Sequence, residues 1–145
     1  MPSEMCHLAG QDLRAAELML AEPDDFAPRI AAYHVQQCIE KCIKQALRLY
    51  GVNYTKTHRI LDLIDMLPDG QRVFSAEVLE RLEISGNRIA DWEAKTRYAS
   101  GYLVKRSTVQ QGIDLARLVL SELKAFECTL PQRDENTGID LMVLE

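Results

Sequence analysis

The sequence predicts an all-α fold, an antiparallel up-and-down bundle of about five helices, four long and one short. Three observations predict it. Apolar residues recur at three- and four-residue spacings in several stretches, Pro and Gly fall between those stretches, and no segment of convincing length alternates as a strand would. With 145 residues and 47% apolar content, the chain can fill one core and is too short to expect a second domain. Residues 1–130 read as a single bundle and 131–145 as a C-terminal tail.

Each element follows from its own pattern. Ala9, Leu13, Ala16 and Leu20 write a first amphipathic helix that ends before Pro23. Asp24 or Asp25 can cap a second helix over about 27–50, with Pro28 in its first turn and Gly51 at its left-handed C-terminal position. Residues 52–56 form a loop. Thr57 can then cap a short helix carrying Ile60, Leu61, Ile64 and Leu67 before Pro68 stops it. Pro68-Asp69-Gly70 reads as a turn. A fourth helix starts near Ser75 and carries Val78, Leu82, Ile89 and Trp92 to about residue 98, bent where Ser85-Gly86-Asn87 interrupts it. The last helix holds Val109, Ile113, Ala116, Val119, Leu120 and Leu123 and reaches about 127. The tail from Pro131 is polar at first and apolar from Ile139 to Leu144, so it is either flexible or docks on this domain or a neighbour.

Formal charge is -5, which excludes a general attraction for phosphate backbones and leaves any such contact to a local patch. Lys41, Lys44, Arg48, Lys56 and Arg59 supply one. The first twenty residues carry Glu4, Asp12, Arg14 and Glu17, so no secretory signal is visible, and the expected location is cytoplasmic with reduced thiols. Cys38 and Cys42 sit four apart on the apolar side of the second helix, where a thiol is ordinary core filler. No CxxC occurs, and neither a metal site nor a cofactor is expected.

The second helix is the informative segment. At 3.6 residues per turn, Gln37, Lys41, Lys44 and Arg48 fall within about 60° of one another. Val35, Cys38, Ile39, Cys42, Ile43 and Ala46 centre on the opposite side. Solvation alone can account for such a face, and an exposed Glu40–Lys44 pair four residues apart would contribute only a few tenths of a kcal/mol. A Thr57-His58-Arg59 turn follows.

Three blocks make the chain resemble the HEPN family, the higher eukaryote and prokaryote nucleotide-binding domains, over residues 8–126. They are Asp12-Leu13 with Ala16-Glu17, the run Ala32-Tyr33-His34-Val35-Gln36-Gln37 with Glu40-Lys41 and Lys44 leading to Lys56-Thr57-His58, and Arg97-Tyr98. The resemblance implies a helical bundle, commonly a homodimer, often encoded beside a minimal nucleotidyltransferase as the toxin of a toxin-antitoxin pair. Many relatives are metal-independent ribonucleases marked by an Arg followed, four to six residues on, by His. This chain departs from that mark: no histidine follows Arg97. Arg29 and His34 have the right spacing elsewhere, but five residues turn about 140° around a helix, so the two side chains do not converge.

The expected function is therefore a nucleotide- or RNA-binding module, with Gln37, Lys41, Lys44, Arg48, His58, Arg97 and Tyr98 as phosphate-facing residues. Two alternatives stand beside it. One is a metal-independent endoribonuclease using a displaced histidine, with His34, His58 and Arg97 as the catalytic candidates, because histidine titrates near neutrality. The other is a helical interaction protein whose stripe is merely solvated.

Overall fold

The computed structural model of the protein describes residues 3–54, 59–98 and 104–131, with the side chains of residues 87, 88 and 90–98 outside that description. It contains α1 (Glu4–Leu20), α2 (Ala27–Leu49), α3 (Ile60–Asp65), α4 (Ala76–Tyr98) and α5 (Arg106–Thr129). No strand occurs among the described residues. Thr57 and all of the tail beyond Pro131 lie outside them.

α2 is the central helix. Fourteen of its 23 residues are buried, and α1, α3, α4 and α5 all pack against it. Small side chains explain the most extensive of these contacts: Ala9 and Ala16 of α1 and Ala31 and Ala32 of α2 are fully buried and let the two helices approach closely. Ile39, Ile43 and Leu47 fill the space between α2 and the other helices, with Ile60, Leu63, Leu82, Ile113 and Leu123. Full burial of each such aliphatic side chain contributes about 1.5–3 kcal/mol.

The helix ends show where local chemistry agreed with the sequence and where it did not. α2 ends as predicted, in a left-handed Gly51 with φ of 68°. The Gly51 amide donates to Arg48 O at 3.0 Å and the Val52 amide to Leu47 O at 2.9 Å, a Schellman termination. Its start differs. Phe26, not an aspartate, is the N-cap and makes no side-chain cap bond. Asp24 instead folds the preceding turn, its carboxylate accepting the Phe26 amide at 2.7 Å. The carbonyls beyond α1 are met from a distance: the Arg106 guanidinium donates to Leu20 O, Glu22 O and Asp24 O at 2.6, 2.6 and 2.9 Å. That contact ties the start of α5 to the α1–α2 turn.

α4 begins with the Ser75 hydroxyl accepting the Val78 amide at 3.2 Å, while Glu122 of α5 accepts the Ser75 amide at 2.7 Å. It continues as one helix through Ser85-Gly86-Asn87. Gly86 is not a breaker here; it is where α3 comes closest. A Cβ at residue 86 would stand 2.7 Å from Leu61 Cδ2 and 2.8 Å from Leu61 Cγ, inside van der Waals contact.

Gly86 and Gly10 therefore predict opposite outcomes. Gly86→Ala forces Leu61 off α4 and should destabilise by about 1–3 kcal/mol, the usual cost of overpacking. At Gly10 a Cβ would meet only Leu120 Cδ2 at 3.8 Å, an ordinary contact, so Gly10→Ala should stabilise by about 0.5–1 kcal/mol through helix propensity. Thermal denaturation followed by circular dichroism should show melting shifts of opposite sign.

Candidate functional site

α2 displays Gln37, Lys41, Lys44 and Arg48 along one face, and their partners come from two sources, α2 itself and α1. Gln36 and Glu40, one turn apart, are buried although polar. Gln36 Nε2 donates to Glu40 Oε2 at 2.7 Å, and Gln36 Oε1 accepts from Gln37 Nε2 at 2.6 Å. Lys44 Nζ donates to Glu40 Oε1 at 2.6 Å. The Lys44 ammonium also lies 5.6 Å from the centroid of the Tyr54 ring. The expected surface pair thus becomes a largely buried one, with the Glu40 side chain only 4% exposed and that of Lys44 18%. At that burial an unpaired carboxylate costs several kcal/mol, so Lys44 is obligatory where an exposed partner would be optional.

The second source is Asp12, which the sequence put on α1 without assigning it a partner. One carboxylate oxygen accepts from Lys41 Nζ, and the other lies 2.9 Å from His34 Nδ1. A carboxylate can only accept, so the ring nitrogen that faces Asp12, Nδ1, carries a proton. The His34 side chain is 29% exposed, and its ring stands at 78° to that of Tyr33 with centroids 5.4 Å apart. Asp12 flanks the buried Leu13 on α1. That position, polar but next to a core residue, was the available sequence signal for an interhelical partner.

The two ion pairs are layered. In each the base is more exposed than its acid, 27% for Lys41 against 14% for Asp12 and 18% for Lys44 against 4% for Glu40. The cation is thus the more exposed partner in both pairs, on a chain of net negative charge. Arg48 is exposed and forms no ion pair among the described residues. Arg59, beyond the loop, is exposed and lies 3.7 Å from Asp62.

Other expected residues fall elsewhere. His58 and Lys56 lie outside the described residues, and so do the side chains of Arg97 and Tyr98, whose backbone forms the last residues of α4, the end the sequence predicts. His7 is exposed near the start of α1, 3.4 Å from the Gln11 amide.

Three cysteines, Cys6, Cys38 and Cys42, are buried and Cys128 is exposed. Burial, reinforced by nearby Glu127, pushes the Cys6 thiol up to about 11. A hydrogen bond with Cys38, together with burial, raises that of Cys42. Neutral buried thiols are inert filler. Glu127 itself was not foreseen as a core residue: its carboxylate accepts from Gln45 Nε2 at 2.9 Å and from the Ser3 amide at 3.0 Å, joining α5, α2 and the N-terminus. Among the described residues no group of three His, Cys, Asp or Glu is placed to hold a metal ion, and no helix is long and apolar enough to cross a membrane.

The family model of the HEPN domain matches residues 3–126, nearly the whole described bundle. The chain belongs to the HEPN domain family. No curated protein and no solved structure matches it significantly. As a HEPN domain it is an all-helical, nucleotide- or RNA-related module. The match spans both the Asp12 block on α1 and the α2 motif, so the layered pairs sit inside the HEPN segment.

The burial difference along this face predicts unequal roles. Lys44→Ala, which takes the cation from the buried Glu40 carboxylate, should cost about 3 kcal/mol, whereas Arg48→Ala, at an exposed position, should change stability by no more than about 0.5 kcal/mol. Urea denaturation of the two variants measures both.

Proposed function

We propose that this HEPN domain is a cytoplasmic nucleotide- or RNA-binding module that holds phosphate on the exposed face of α2, lacks the usual Arg/His ribonuclease signature, and acts with a minimal nucleotidyltransferase in a toxin-antitoxin type system. The observation that carries the reading is the layering of charge. Carboxylates held beneath Lys41 and Lys44 fix the ammonium groups in place and leave their outer sides to an anion, and Arg48 extends the same line. The missing histidine after Arg97 supports binding over cleavage. His58, Arg97 and Tyr98 join the proposed contact set through the resemblance of their motifs.

Lys44 holds the buried Glu40 carboxylate, so the binding test uses its neighbours. Lys41→Gln combined with Arg48→Gln should weaken ATP or short RNA binding about tenfold in titration calorimetry, with a shallower salt dependence. Affinity equal to that of the parent would remove the basis of the reading.

The pairing of His34 with Asp12 favours one second reading. A ring whose Nδ1 is held by a carboxylate presents Nε2 as a general base, the group that metal-free RNA cleavage needs to take the 2′-hydroxyl proton. Cleaved transcripts on expression, abolished in a His34→Ala variant, would establish the endoribonuclease. Intact transcripts together with measurable binding would leave the binding module.

The proposed homodimer draws support from α4 and α5. Between them lies a groove of about 180 Å³ lined by residues that include Ile84, Ile89, Gly112 and Leu115. Ile84, on the lining of that groove, is 76% exposed. Ile84→Glu should shift the protein from dimer to monomer in sedimentation velocity without lowering its melting temperature.

A further inference from the structure

The cationic stretch of α2 is only half of a longer face. Extending its register towards the N-terminus by four- and three-residue steps gives Tyr33, Ile30 and Phe26, all within about 80° of Lys41 and Arg48 around the helix. Phe26 is 55% exposed and Ile30 41%, and Tyr33 is half-buried against His34. Phe26 makes no side-chain cap bond and takes no part in the hydrophobic core. Neither helix capping nor packing accounts for an aromatic ring there.

We propose that this aromatic half is a base-stacking subsite, so that the whole face of α2 binds a single strand of RNA, with bases on Phe26 and Tyr33 and backbone phosphates on Lys41 and Arg48. The inference rests on the phosphate-binding reading above and goes beyond it by naming the ligand class and the subsite. Its geometry favours a strand over a free nucleotide. At 1.5 Å per residue, the axial distance from Phe26 to Arg48 is about 33 Å and that from Tyr33 to Lys41 about 12 Å; the first exceeds the length of any one nucleotide. Aromatic faces and cations in one line are also the combination that binds single strands with little sequence preference, since every base has a π-face and every link a phosphate. Here the patch continues in register into Gln37 and three cations, and a polyanion matches that continuation.

The test uses the full chain, a labelled single-stranded RNA of about eight nucleotides read by fluorescence anisotropy, and ATP read by calorimetry. Phe26→Ala, at an exposed site that leaves the fold intact, should weaken RNA binding at least fivefold and leave ATP affinity unchanged. Tyr33→Leu should likewise weaken RNA binding, and Phe26→Trp should restore the parent affinity. RNA affinity unaltered in both Phe26→Ala and Tyr33→Leu overturns the subsite. A loss of dimer in Phe26→Ala, with RNA affinity kept, overturns it in favour of a protein interface. If the parent binds ATP but not the RNA, this inference falls while the phosphate reading stands. If it binds neither, both fall.

Discussion

A glutamate buried in the middle of the central helix constrains much of what surrounds it. Glu40 sits where α2 is packed by other helices, and a carboxylate at that depth is tolerable only with a cation and hydrogen-bond donors on its oxygens. Lys44 and Gln36 supply them from the same helix, one turn on either side. Gln36 is then committed to Glu40, and its own oxygen is met by Gln37. One buried charge therefore dictates three other side chains in a nine-residue stretch of sequence. It also places Lys44 against the Tyr54 ring, fixing the path of the chain as it leaves α2.

The Asp12 cluster repeats this logic between helices. α1 and α2 approach closely because alanines face each other along the seam, and that proximity brings a single carboxylate to both Lys41 and His34. Each acid lies deeper than its base, so the pairs cancel in net charge but not in direction, and the face presented to solvent is cationic. A surface of this kind can offer phosphate a preorganised line of donors on an acidic protein, since the local field outweighs the distant net charge once salt screens interactions beyond about 8–10 Å.

Much of the bundle was legible in the sequence because helices are written locally. The spacing of apolar residues located all five, and Pro28 and Gly51 marked α2 to within a residue of its observed ends. Capping was less legible. Asp24 belongs to the preceding turn and Arg106 serves carbonyls more than 80 residues away, a contact that no local rule contains. Gly86 shows the same limit: glycine inside a helix reads as a weak point, and only the position of Leu61 on another helix turns it into a packing requirement. The candidate site divides similarly. Its residues on α2 could be read from rotation about one axis, whereas Asp12 could not be paired with His34 until two helices were set side by side.

The sequence by itself determined the fold class, the family and the composition of the α2 face, because periodicity, capping residues and motif spacing are properties of one chain segment at a time. Tertiary structure alone decided which of those polar residues are structural and which are free to act. Burial is a collective property: the same lysine four residues after a glutamate is worth a few tenths of a kcal/mol in water and is indispensable beneath neighbouring helices. Depth assigns Lys44 to the fold, and it leaves Arg48 at the surface.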